Sequence, residues 1–126
     1  MKSENVGKVV VEVDITNPIT KKFIHTKALI DTGSDFAVIP TRMAEELGIE
    51  VRGEDWIKTG NGPTKLKFGG AEITLNGHWS YEKVWMSDKV GKVLIGVIAL
   101  EGLGLKVNPK KGVLEEEEQV LYAVSR

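Results

Sequence analysis

The sequence predicts a mainly β protein folded as one domain. Three observations carry that expectation. Residues 9–15 alternate, with Val9, Val11, Val13 and Ile15 on one side and Val10, Glu12 and Asp14 on the other. Turn formers (Asn17-Pro18, Gly60-Asn61-Gly62, Asn76-Gly77) separate short runs rich in apolar residues. Few segments have helical spacing. At 126 residues the chain is long enough for one core and too short for two lobes. A hydrophobic content of 41% with no low-complexity tract fits a folded globular domain.

The elements follow in order. A strand over 9–15 turns at Asn17-Pro18 into a second strand over 22–30, and the two read as a hairpin with His25 a half-exposed strand residue. A short buried strand over 36–39 is closed by Pro40. Thr41 is placed as N-cap of a helix over 42–47, with Met43 and Leu47 on one face and Gly48 as its stop. The alternation from Trp56 to Phe68 about Gly60-Asn61-Gly62 describes a mobile hairpin. It lacks the G-x-G-x-x-G spacing of a phosphate loop. Strands over 71–75 and 81–86 flank Asn76-Gly77, with His78 and Trp79 in the connection. Val93 to Gly96 is an apolar strand ending in glycine, followed by a short helix over 97–103 and strands over 105–107 and 113–114. Glu115 to Glu118 reads as a solvated edge, and the apolar segment 120–124 needs a surface to bury against. Trp56, Trp79 and Trp85 are assigned mainly to core packing.

Composition excludes several kinds of chemistry. Without cysteine there is no disulfide framework and no thiolate nucleophile. Two histidines make a histidine-rich metal site improbable, so neither metal nor cofactor is expected. A net charge of −1 with scattered Lys and Arg leaves no footprint for nucleic acid. No apolar run reaches the ~18 residues of a membrane helix, and residues 1–5 lack a signal-peptide core, so a soluble cytoplasmic protein is expected.

The chemistry is concentrated in residues 28–40. Ala28, Leu29 and Ile30 lead into Asp31-Thr32-Gly33-Ser34, and Phe36 to Ile39 lead out. A carboxylate between two buried strands is costly unless paired or hydrogen-bonded. Thr32 and Ser34 bring hydroxyls close to it, and Gly33 lets the backbone fold inward. The turn reads as a holder for one carboxylate.

With these residues in view the chain resembles the retropepsin-like aspartic proteases, the single-lobed, homodimeric relatives of pepsin, and in particular their small prokaryotic members. Leu29 to Ser34, followed by Val38-Ile39, matches the catalytic motif. Residues 56–65 fall where the family carries its flap. Leu94-Ile95-Gly96 matches the strand that threads behind the catalytic loop. The resemblance covers about residues 9–114, leaving 115–126 as an acidic and apolar C-terminal extension. It implies a closed β-barrel with a flap hairpin and one or two short helices. It also implies an aspartic endopeptidase needing no cofactor, whose partners are a peptide or protein substrate and a second copy of the chain.

Asp31 is the single Asp-Thr-Gly aspartate, and the mechanism needs two carboxylates, so the resemblance implies a homodimer with one from each subunit. In that reading Thr32 bonds across the dyad, Gly33 and Ser34 support the carboxylate, and Asp35 contacts substrate backbone. Thr59, Gly60, Asn61 and Gly62 close over the peptide. The sequence departs from many viral members in having Ser34 in place of alanine and Val97-Ile98 in place of a polar dimer-stabilising pair. An inactive dimerisation or peptide-binding module of the same fold stands as the alternative, since function lives in the site.

Overall fold

In the computed structural model residues 9–118 are described. Strands β1 (Val9–Thr16) and β2 (Phe23–Ile30) form the first hairpin. β3 (Ala37–Pro40) then leads into helix α1 (Thr41–Leu47). β4 (Gly53–Thr59), β5 (Gly62–Leu75) and β6 (His78–Ser87) form a meander. β7 (Val93–Ile95), helix α2 (Val97–Gly102), β8 (Leu105–Asn108) and β9 (Val113–Glu116) complete the described chain. Neighbours run β1-β2-β7-β3-β6-β5, and a further pairing of β5 with β1 closes six strands into a barrel. Among the described residues β4 pairs with β5 alone and projects from the barrel, while β8 and β9 form a separate ribbon. Pairing is antiparallel except β2 with β7 and β3 with β6.

Strand parity explains the core. Val13 and Ile15, Ala28 and Ile30, Ala37 and Ile39, Ala71 and Ile73, Val84 and Met86, and Val93 and Ile95 point inward from successive strands. Ala44, Leu47, Ala99 and Leu100 of the two helices join the same cluster. Burying each larger aliphatic side chain is worth about 1.5–3 kcal/mol, so this cluster is the main source of the barrel's stability. Asn17, in the first turn, is buried. Its side-chain amide donates to the carbonyls of Leu47 (2.9 Å) and Gly48 (3.2 Å), tying the end of α1 to the β1–β2 turn. Gly48 ends α1 in the left-handed conformation, φ 71°.

Some local expectations give way. Thr41 is the first residue of α1 rather than its cap. Pro40 occupies the cap position, and no side chain caps the helix. The segments around 62–68 and 71–75 are one strand, because Gly69 and Gly70 serve close approach rather than a break. A Cβ at Gly69 would lie 2.4 Å from the Glu50 carbonyl oxygen, and one at Gly70 would run into the Tyr81 ring. His78 and Trp79 belong to β6, because Asn76 (φ 53°) and Gly77 (φ 81°) alone make the hairpin turn. Trp85 is buried, whereas Trp56 and Trp79 are 69% and 65% exposed on outward-facing strand positions. His25 stays on the surface, where its ring nitrogens bond to Glu12 (2.7 Å) and Asp14 (2.6 Å). These bonds, Glu12's first, raise its pKa. The segment 120–124 lies outside the described residues. Among the described residues no helix is long and apolar enough to cross a membrane.

Candidate active site

The loop between β2 and β3 is held from behind by β7 and the start of α2. The Asp31 amide donates to the Ile95 carbonyl (2.8 Å), and the Gly96 amide donates to the Phe36 carbonyl (3.1 Å). The Val97 and Ile98 amides donate to the carbonyls of Ser34 (2.9 Å) and Asp35 (2.8 Å). Both ends of the loop are thus bonded to one crossing segment. Gly96 is packed so tightly against it that a Cβ there would lie 2.5 Å from the Ser34 oxygen and 2.6 Å from the Phe36 oxygen. Leu94, Ile95 and Gly96 therefore lie behind the loop and take no part in its solvent face.

Within the loop, the Gly33 amide donates to Asp31 Oδ1 (3.0 Å), and the Ser34 amide donates to the Asp31 main-chain carbonyl (3.1 Å). Asp31 is half-buried, and Thr32, Gly33 and Asp35 are exposed. The Ser34 hydroxyl donates to the Phe36 carbonyl (3.3 Å) rather than to the Asp31 carboxylate.

Opposite the loop, β4 and the first half of β5 pair from Gly53 with Phe68 to Thr59 with Gly62. The Thr59 hydroxyl donates to the Gly62 carbonyl (2.6 Å) and accepts from the Asn61 amide (3.2 Å), closing the tip. Gly62 has φ 103°, a conformation L side chains rarely adopt, whereas Gly60 is not left-handed and has open space around it. Gly62→Val is therefore expected to lower kcat/KM clearly, while Gly60→Val leaves it within about twofold. Peptide cleavage measured beside melting temperature checks this, and equal effects at both sites would rule out a special role for Gly62.

Hairpin and loop enclose a cleft of about 1240 Å³. Gly33, Ser34, Asp35, Thr59, Asn61 and Gly62 all line it, together with apolar Val38, Ile57 and Leu66. Asp31, Thr32 and Gly60 do not line the single chain's cleft.

Sequence reasoning missed a polar cluster under the hairpin stem. Asp55 Oδ2 of β4 accepts from Lys83 Nζ (2.7 Å) and from Trp85 Nε1 (2.8 Å) of β6. These two bonds, Lys83's first, hold the Asp55 carboxyl below its ordinary pKa. The three residues are far apart in sequence, and no local pattern announces their meeting.

A closed six-stranded barrel in one lobe, with an aspartate on a buried-flanked loop facing a hairpin, is the architecture of the retropepsin-like aspartic proteases. The sequence matches the aspartyl protease family over residues 11–98, and the chain belongs to that family, whose members are hydrolases of peptide bonds. Solved structures share the fold. EIAV protease in complex with an inhibitor superposes with a TM-score of 0.63 at 20% identity, over 80% of this chain and 92% of that one. Simian foamy virus (mac) protease does so with 0.51 at 18% identity, over 69% of this chain and 86% of that one. No curated protein matches the sequence.

Proposed function

We propose that the chain is an endopeptidase active as a homodimer, in which Asp31 of each copy supplies one carboxylate of the catalytic pair. The observation that carries this reading is the position of Asp31. It is the single Asp-Thr-Gly aspartate of the chain and sits half-buried on the loop between β2 and β3, so a second carboxylate of the same kind has to come from a second copy, as across a two-fold axis.

In the reaction, the ionised Asp31 takes a proton from a water held between the two carboxyls. The oxygen of that water bonds to the scissile carbonyl carbon, while the protonated Asp31 of the other copy donates to the carbonyl oxygen. A proton then passes to the amide nitrogen and the C–N bond breaks, giving a carboxylate and an amine. The Gly33 amide steadies the charged Asp31, and Thr32 bonds to the loop of the second copy. Asp35 contacts the substrate main chain as Thr59 to Gly62 fold over it and shed water. Residues 9–114 form the catalytic unit.

The test is dilution. Cleavage of a mixed peptide library is expected to fall per chain as concentration drops, in step with the loss of dimer seen by sedimentation. Full activity in a demonstrated monomer would end the proposal. Dimers that neither cleave any peptide nor bind a statine-like transition-state analogue would instead identify an inactive binding module.

A further inference from the structure

We propose that Asp55 is a positioning residue, the latch that fixes the flap stem over the cleft through Lys83 and Trp85. The inference rests on the protease reading for its kinetic consequences, but its structural core does not.

β4 forms one side of the flap and, among the described residues, pairs with β5 alone. Gly53 and Glu54 lie opposite Phe68 and Lys67, which also pair with β6, but from Asp55 onward no strand pairing ties β4 to the barrel. Its other side-chain ion pair among the described residues, Glu54 with Lys65, stays inside the hairpin. Asp55 differs, because both its donors stand on β6, a barrel strand that pairs in parallel with β3 just beyond the catalytic loop. The two bonds come from different side chains to one oxygen, which fixes direction as well as distance.

Lys83 is itself held. Its ammonium lies 4.1 Å from the centre of the Phe68 ring and 5.2 Å from that of Phe36. Phe36 packs edge-on against Trp85 at 5.2 Å. Phe36 is also the residue whose carbonyl receives the Gly96 amide and the Ser34 hydroxyl. The contacts thus run unbroken from flap stem to catalytic loop: Asp55, Lys83 and Trp85, Phe36, then Ser34.

An isolated ion pair with side chains 30% and 32% exposed would be worth little. Here the pair shares its oxygen with an indole N–H and sits against two rings, so it acts as one unit. Because the Asp55 carboxyl is held below its ordinary range, the tie is present above that range and is lost only as pH falls through the lowered value. The latch therefore stays closed into mildly acidic conditions.

The experiment compares the native protein with Asp55→Ala, the near-isosteric Asp55→Asn, Lys83→Met and the Asp55→Ala/Lys83→Met double variant. Amide hydrogen exchange at residues 56–62 is expected to speed up about tenfold in Asp55→Ala and less in Asp55→Asn, with barrel amides unchanged. KM is expected to rise about tenfold with kcat within twofold, because a loosened flap costs binding and the reacting groups are untouched. The double variant should be no worse than the worse single, the signature of one shared unit. Unchanged flap exchange in both Asp55 variants, strictly additive effects, or a loss that follows melting temperature alone would overturn the latch. Faster flap exchange in a protein whose native form cleaves nothing would keep the latch and remove the protease reading.

Discussion

Asp31→Asn is expected to abolish peptide cleavage, by about 10³-fold or more, while the barrel stays folded. An amide can neither take a proton from water nor hand one on, so in the proposed homodimer both roles of the pair are lost at once. The fold should survive because the substitution keeps size and shape. The Gly33 amide still finds an oxygen at the same place, and the bonds from Ile95, Val97 and Ile98 involve main chain alone. Native cleavage should pass through a maximum with pH, since the pair works only while it shares one proton. Cleavage across acid and neutral pH, beside thermal melting of both proteins, checks the prediction. An Asn variant that cleaves at the native rate would move the chemistry to another residue.

The largest effect on stability is expected from Gly96→Ala. The new methyl would meet the Ser34 oxygen at 2.5 Å and the Asp35 carbonyl carbon and Phe36 oxygen at 2.6 Å. All three are main-chain atoms of the loop, so no side chain can swing aside. Overpacking of this kind costs on the order of 3 kcal/mol or more, which lowers Tm by roughly 10 °C. Gly91→Ala, with nothing within 4 Å, is the matched control and should leave Tm nearly unchanged. A native-like Tm in Gly96→Ala would mean that the β7 crossing is looser than the structure has it.

Much of this protein was legible in its sequence because its signals are local. Alternation in 9–15, the Asn-Gly turn at 76–77 and the left-handed Gly48 each depend on a few neighbouring residues, and each locates an element. The buried flanks of Asp31 marked the loop for the same reason. What stayed hidden depends on meetings between distant residues. Gly69 and Gly70 separate two runs that read as distinct strands until the Glu50 carbonyl and Tyr81 ring are seen filling the space above them. Trp56 and Trp79 look like core until strand parity sends them outward. Ser34 lies within reach of the Asp31 carboxylate along the chain, yet its hydroxyl goes to Phe36, because the crossing at Gly96 fixes where that carbonyl stands.

The closure of the barrel has a consequence for the order in which the molecule assembles. The β4–β5 and β5–β6 hairpins join neighbours in sequence and can form early. By contrast, β1 must find β5 across some sixty residues (Asp14 opposite Thr74), and β2 must find β7 across a similar span (Ile30 opposite Ile95). Such distant pairings carry the main loop-closure cost and set the pace of folding. The Asp31 loop waits on the later of them, because its partners at Ile95, Val97 and Ile98 belong to the last third of the described chain. A growing polypeptide that has emerged only as far as the β4–β5 hairpin already contains Asp31 but lacks the segment behind it. The loop that carries Asp31 therefore gains its backing only when nearly the whole barrel exists.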